Sequence, residues 1–145
     1  METQNMPDKD ENLGKKRILL IDDDKEICFF TKKYLENKKE LKVIVENSGE
    51  AGLKIAQEKK PDLILLDIMM TGMDGLTVLT RLKGSEETRS IPVIMLTAKG
   101  DIGSIAEAQI LSVADYLIKP FEPEQLLRLI SKCIKSERKT KLNNK

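Results

Sequence analysis

Six residues of this 145-residue chain have types and positions that could carry chemistry. Asp22, Asp23 and Asp24 follow the apolar run Ile18–Ile21, Asp67 follows Leu63–Leu66, Thr97 follows Ile91–Leu96, and Lys119 follows Tyr116–Ile118. Carboxylates at close range repel, and each raises the other's pKa unless a cation lies between them. A hard divalent ion relieves that repulsion. Mg²⁺, held by one or two carboxylates with retained waters, fits such a cluster best. Mg²⁺ and a lysine ammonium would together attract a phosphoryl group, which the remaining aspartate could attack to form an aspartyl-phosphate. Thr97 could donate to one phosphoryl oxygen, and Lys119 could neutralise another.

These residues act together only if the fold gathers them. The runs Arg17–Ile21, Leu41–Val45, Leu63–Leu66, Ile91–Leu96 and Tyr116–Ile118 read as strands, and those at 18–21, 63–66 and 93–96 are apolar on both faces. Helical spacing fills the gaps. Ile27, Phe30, Thr31, Tyr34 and Leu35 fall on one face, and Asp24 suits the N-cap before them. Ser48 can cap a helix through Leu53, Ile55 and Ala56. Leu76, Leu79 and Leu82 mark a third, and Ile102, Ile105 and Ala106 begin a fourth. Pro123 suits the first turn of a fifth, with Leu126, Leu127, Ile130, Cys133 and Ile134 as its stripe.

Five βα units predict an α/β fold, a doubly wound parallel sheet with helices on both sides. In such sheets, ligands bind outside the carboxyl ends of the strands, where strand order reverses. For the flavodoxin-like order 2-1-3-4-5 that point lies between strands 1 and 3, the two that end in carboxylates.

Composition removes other chemistries. There is no histidine, which excludes histidine triads, histidine-ligated metals and a phospho-histidine on this chain. Twenty-five basic against 24 acidic residues leave a net charge of +1, no basis for general nucleic-acid binding. Three Phe, two Tyr and no Trp are too few for a base-stacking platform. Cys28 and Cys133 lack metal-ligand spacing and are expected as reduced thiols. No run approaches the ~20 apolar residues of a membrane helix, and a cytoplasmic location is expected. Residues 1–14 read as a disordered lead-in, 15–136 as the folded domain and 137–145 as a polar tail.

The strings ILLIDDDKEI, DLILLDIMMTGMDGL, IPVIMLTAKGD and ADYLIKPF, in this order, resemble the signature blocks of bacterial response-regulator receiver domains. The likeness spans about residues 16–136. It implies a CheY-like switch in which Asp67 is the phosphoacceptor. Asp23 would bind Mg²⁺ directly, Asp22 largely through water, and the Met69 backbone carbonyl would add a ligand. Thr97 and Lys119 would contact the phosphoryl group, and Tyr116 would turn inward when Thr97 moves toward it. Lys119-Pro120 would be a cis peptide. Thr71 departs from a frequent Pro in the loop after the phosphoacceptor, and Ser112 from a usual Gly before the last strand. The resemblance also implies that Met69 and Lys99 occupy positions that, in the family, modulate phosphorylation and dephosphorylation rates.

Each residue has a plainer reading: the acidic triplet as a helix cap, Asp67 as a turn residue, Thr97 as a strand terminus, Lys119 as a solvated lysine, Tyr116 as an edge aromatic. The basic residues Arg138, Lys139, Lys141 and Lys145 read as solvated. A Mg²⁺-dependent aspartyl-phosphate phosphatase is an alternative, but it would want a second Asp where Met69 stands. A flavodoxin would need a hydroxyl- and glycine-rich phosphate loop in place of the acidic triplet. A receiver-like module that only binds proteins is the remaining alternative. The resemblance implies a sensor histidine kinase or phosphotransfer protein as donor and a downstream protein as target, read through the fourth helix, fifth strand and fifth helix. Leu129, off the main stripe, is a candidate there. The length suggests a stand-alone switch, monomeric or dimerising on phosphorylation, with no direct contact to nucleic acid or membrane.

Overall fold

The protein is described by a computed structural model covering residues 14–38, 40–98 and 102–143. The lead-in expected at 1–14 therefore lies, apart from Gly14, outside the described residues, as does Lys99. Five strands alternate with five helices. In chain order they are β1 (Lys16–Ile21), α1 (Lys25–Glu36), β2 (Leu41–Glu46), α2 (Gly49–Lys59), β3 (Leu63–Asp67), α3 (Gly75–Lys83), β4 (Val93–Ala98), α4 (Ile102–Ile110), β5 (Asp115–Lys119) and α5 (Pro123–Asn143). The strands form one parallel sheet in the order β2-β1-β3-β4-β5. Fold class and strand order are as the sequence predicts.

Alternation along the strands splits the core into two layers. Leu19, Ile21, Ile64, Leu66, Val93 and Met95 face α2, α3 and α4. Ile18, Leu20, Leu63, Leu65, Ile94 and Leu96 face α1 and α5. Such strands carry apolar side chains on both faces because helices cover both sides. Burying each such Leu or Ile contributes roughly 1.5–3 kcal/mol relative to exposure.

The helix starts follow their caps. Asp24 accepts from the N–H groups of Glu26 and Ile27, both at 3.1 Å. Ser48 Oγ accepts from Ala51 N–H at 3.2 Å, and Asp74 Oδ1 from Thr77 N–H at 2.9 Å.

Three packing details differ from expectation. In α1 the inward residues are Cys28 and Leu35, while Phe30 is 60% exposed. The apolar residues of 27–35 outnumber one helical face, so spacing alone admits two offset stripes. In α4, among the side chains described, Ala108 is buried and Ile105 half-buried while Ala106 is exposed; the Ile102 side chain lies outside them. Leu129 of α5, expected off the main stripe, packs half-buried against the α1/α5 layer. In addition, α5 continues through Asn143, into the stretch expected as a polar tail from 137. Glu137, Arg138, Lys139, Lys141 and Leu142 are good helix formers, so the helix extends without an apolar stripe. Side chains beyond Ile134 lie outside the described residues.

Candidate functional site

The carboxyl ends of β1 and β3 lie side by side, with Ile21 paired to Leu66. The residues just beyond them therefore meet. Oxygens of Asp22, Asp23 and Asp67 come within 4.8 Å of one another. Asp22 is fully buried and Asp67 is 5% exposed, whereas Asp23 is half-buried. Lys119, at the end of β5, reaches across β4 into the cluster. Its Nζ donates to Asp22 Oδ2 at 2.9 Å and lies 3.5 Å from Asp67 Oδ1.

Three carboxylates thus face one ammonium. Burial, then the charge of Asp22, pushes the Asp67 carboxyl up to about 6 against the opposing pull of Lys119. Burial alone would lower the Lys119 ammonium, but its hydrogen bond to Asp22 and the charges of Asp22 and Asp67 hold it above the usual lysine value. The uncompensated negative charge and the all-oxygen donor set fit a hard divalent cation such as Mg²⁺.

The backbone around the cluster is closely fitted. Gly75, at the start of α3, donates its N–H to the Ile68 carbonyl at 2.8 Å. A Cβ there would collide with the Asp67 carbonyl oxygen and come 2.7 Å from Ile68 Cα. Thr97 on β4 is fully buried, and its Oγ1 donates to the Ala98 carbonyl at 3.3 Å, not into the carboxylate cluster. Tyr116 is 38% exposed. The pairs Met95–Tyr116 and Thr97–Ile118 put Thr97 and Tyr116 on one face of the sheet. The Met69 side chain is 63% exposed. The Lys119-Pro120 bond is cis.

Residues 18–131 match the family profile described as the response regulator receiver domain. The chain is a response regulator receiver domain. It is 37% identical over 111 residues to the heme response regulator HssR of Staphylococcus aureus (strain bovine RF122 / ET3-1), a match covering 77% of this chain and 48% of that protein. The receiver domain thus spans about half the length of the curated relatives it matches. Among solved structures it resembles a response regulator receiver domain protein from Clostridium thermocellum, with a TM-score of 0.79 and 29% identity over 85% of this chain and 97% of the other. Chemotaxis protein CheY4 of Vibrio cholerae shares the fold, with a TM-score of 0.76 and 24% identity over 82% of this chain and 98% of that one. Receiver domains are phosphoacceptor signalling domains of two-component systems that interact with histidine kinases or phosphotransfer proteins and with downstream effectors, and they typically bind Mg²⁺ at an acidic pocket. Among the described residues, no helix is long and apolar enough to cross a membrane.

Within this receiver domain, the structure brings together Asp22, Asp23, Asp67 and Lys119, and leaves Thr97 and Tyr116 on the neighbouring strands. Sequence reading missed the residues that hold the acids. Thr71 donates its N–H to Asp23 Oδ2 at 2.9 Å, a bond that the proline frequent at this position could not make. Asn47 donates to the Asp22 carbonyl at 2.9 Å. Each bond has a backbone group at one end, Thr71's own N–H or the Asp22 carbonyl, and leaves no motif; only Thr71's departure from the family pattern pointed to its loop. Cys28 and Cys133 are free. Burial, with Asp22 and Asp24 nearby, pushes the Cys28 thiol up to about 12.

Proposed function

We propose that this chain is a phosphorylation switch in which Asp67 accepts a phosphoryl group from a partner's phospho-histidine, or from a small acyl phosphate. The observation that carries this reading is the position of Asp67, almost enclosed at the strand rim between two further carboxylates and Lys119. An Asp67 oxygen attacks phosphorus, the bond to the donor nitrogen or oxygen breaks, and the leaving group departs with its electron pair. Asp67, Asp23 and the Met69 carbonyl would hold Mg²⁺, with Asp22 acting largely through water. When bound, the ion supplies the positive charge that lets phosphoryl oxygens approach three carboxylates. Lys119 neutralises a phosphoryl oxygen while remaining paired to Asp22.

Thr97 and Tyr116 would read the new charge. Turning the Thr97 hydroxyl from the Ala98 carbonyl to the phosphoryl group would free space on the face it shares with Tyr116, and the ring would move inward. The exposure of Tyr116, Ile118 and Ile110 supports an output face built from α4, β5 and α5. The donor's approach is supported by an apolar groove between α1 and α5, lined by Phe30, Tyr34, Phe121 and Leu126, which also includes Lys119.

Incubation with acetyl phosphate and Mg²⁺, followed by intact mass measurement, tests the reading. A Mg²⁺-dependent gain of one phosphoryl group, abolished in Asp67→Asn, supports it. An unmodified wild type under conditions that preserve acyl phosphates contradicts it, and continuous phosphate release from unrelated monoesters would favour a phosphatase.

A further inference from the structure

Asp22 and Asp23 are consecutive, yet both carboxylates join one cluster. In a regular strand, successive side chains point to opposite faces. The chain must therefore leave strand geometry at this step, and the peptide plane between the two residues sets where each side chain goes. That plane is held from outside the cluster. The Asp22 carbonyl, which belongs to it, accepts from Asn47 Nδ2 at 2.9 Å and from Cys28 Sγ at 3.3 Å. Asn47 Nδ2 also lies 3.6 Å from Cys28 Sγ. The amide nitrogen must face this way, because the carbonyl it meets can only accept.

The position of Asn47 explains why a side chain is used. The last rung of the β1–β2 pairing is Ile21–Glu46, and the Asp22 N–H still donates to the Glu46 carbonyl at 3.1 Å. Beyond it the chain bends into the turn before α2, where Ser48 caps the helix. The backbone of β2 no longer runs beside β1, and the Asn47 side chain supplies the missing donor. Cys28, fully enclosed on α1, supplies the second. The Asp22 carboxylate is held separately, by Asp24 N–H at 3.0 Å and by Lys119.

We propose that Asn47, assisted by Cys28, is a positioning residue that fixes the Asp22–Asp23 peptide plane and thereby sets the affinity of the acidic cluster for a divalent cation. The proposal rests on the cluster being a Mg²⁺ site. Groups that orient metal ligands typically change metal affinity 10–100-fold when removed. Asn47 acts one step back from the carboxylates, so the lower end of that range applies.

Calorimetric titration of the full chain with MgCl₂ tests it, at temperatures where urea unfolding shows each variant to be folded. Asn47→Ala is expected to bind Mg²⁺ about tenfold more weakly than wild type. Asn47→His returns a ring N–H near the place of the amide and is expected to recover most of the loss. If Asn47→Ala does not fold, Cys28→Ala removes the other donor to the same carbonyl and is expected to bind several-fold more weakly. Wild-type affinity in the alanine variant that folds overturns the proposal and leaves the metal site standing. A wild type that takes up no Mg²⁺ overturns both.

Discussion

The Lys119 ammonium donates to Asp22 Oδ2 at 2.9 Å across 97 positions of sequence, joining the last strand of the sheet to the first. Asp22 is completely buried, and among the described residues this contact is its only cation. Removing one partner of a buried pair leaves the other charge uncompensated. Lys119→Met is expected to destabilise the metal-free protein by about 1–3 kcal/mol at pH 7. Adding Asp22→Asn should recover part of that loss. Urea unfolding of both variants with EDTA present measures it. Equal stability of Lys119→Met and wild type would show that the pair contributes nothing.

Asp67 gives the pH dependence its sign. Its carboxyl is pushed up to about 6 from an ordinary 3.8. A group with a raised folded pKa holds its proton more tightly in the folded state. Its stabilising contribution is complete below about pH 4 and is lost as the pH rises through about 6. Metal-free wild type should therefore lose stability across that window relative to Asp67→Asn, whose amide does not titrate. Parallel unfolding curves for the two proteins between pH 4 and pH 7 would contradict this.

Gly75 is required by space. A methyl group there would run into the backbone of Asp67 and Ile68. Gly75→Ala should cost about 1–3 kcal/mol or more, with a loss of acyl-phosphate uptake larger than the fraction unfolded explains. Unchanged uptake in the folded variant would mean that the Asp67 backbone tolerates displacement.

Ser112 adopts a φ of 62°, in the left-handed region that favours glycine. A non-glycine residue there costs about 1–3 kcal/mol, and glycine forfeits roughly 0.5–1 kcal/mol through its freer unfolded chain. Ser112→Gly is expected to stabilise by about 1 kcal/mol net, raising Tm by on the order of 3 °C. Thermal unfolding with no rise in Tm would contradict it.

The parallel sheet and the meeting of Asp22, Asp67 and Lys119 were legible in the sequence because apolar runs on both faces mark central strands, and the residues closing those runs must share one rim; the strand order came with the family resemblance. The unusual φ of Ser112 was legible as a departure from the family pattern. The inward face of α1 was not, because Cys28 and Phe30 both satisfy helical spacing and only packing against the sheet decides between them. Asn47 and Thr71 were invisible as site residues for a different reason. Each acts through one hydrogen bond involving a main-chain group, and no residue-type pattern encodes the direction of a carbonyl or an N–H. The extension of α5 to Asn143 escaped because propensity carried the helix where no apolar stripe announced it.

The central claim is that Asp67 carries the phosphoryl group. Borohydride reduces an aspartyl-phosphate to homoserine, so treating acetyl phosphate-labelled protein with borohydride and sequencing its peptides by mass spectrometry reads the acceptor directly. Homoserine at position 67, dependent on Mg²⁺ during labelling, is the predicted result. Homoserine at position 22 or 23, or none in labelled protein, would contradict the account.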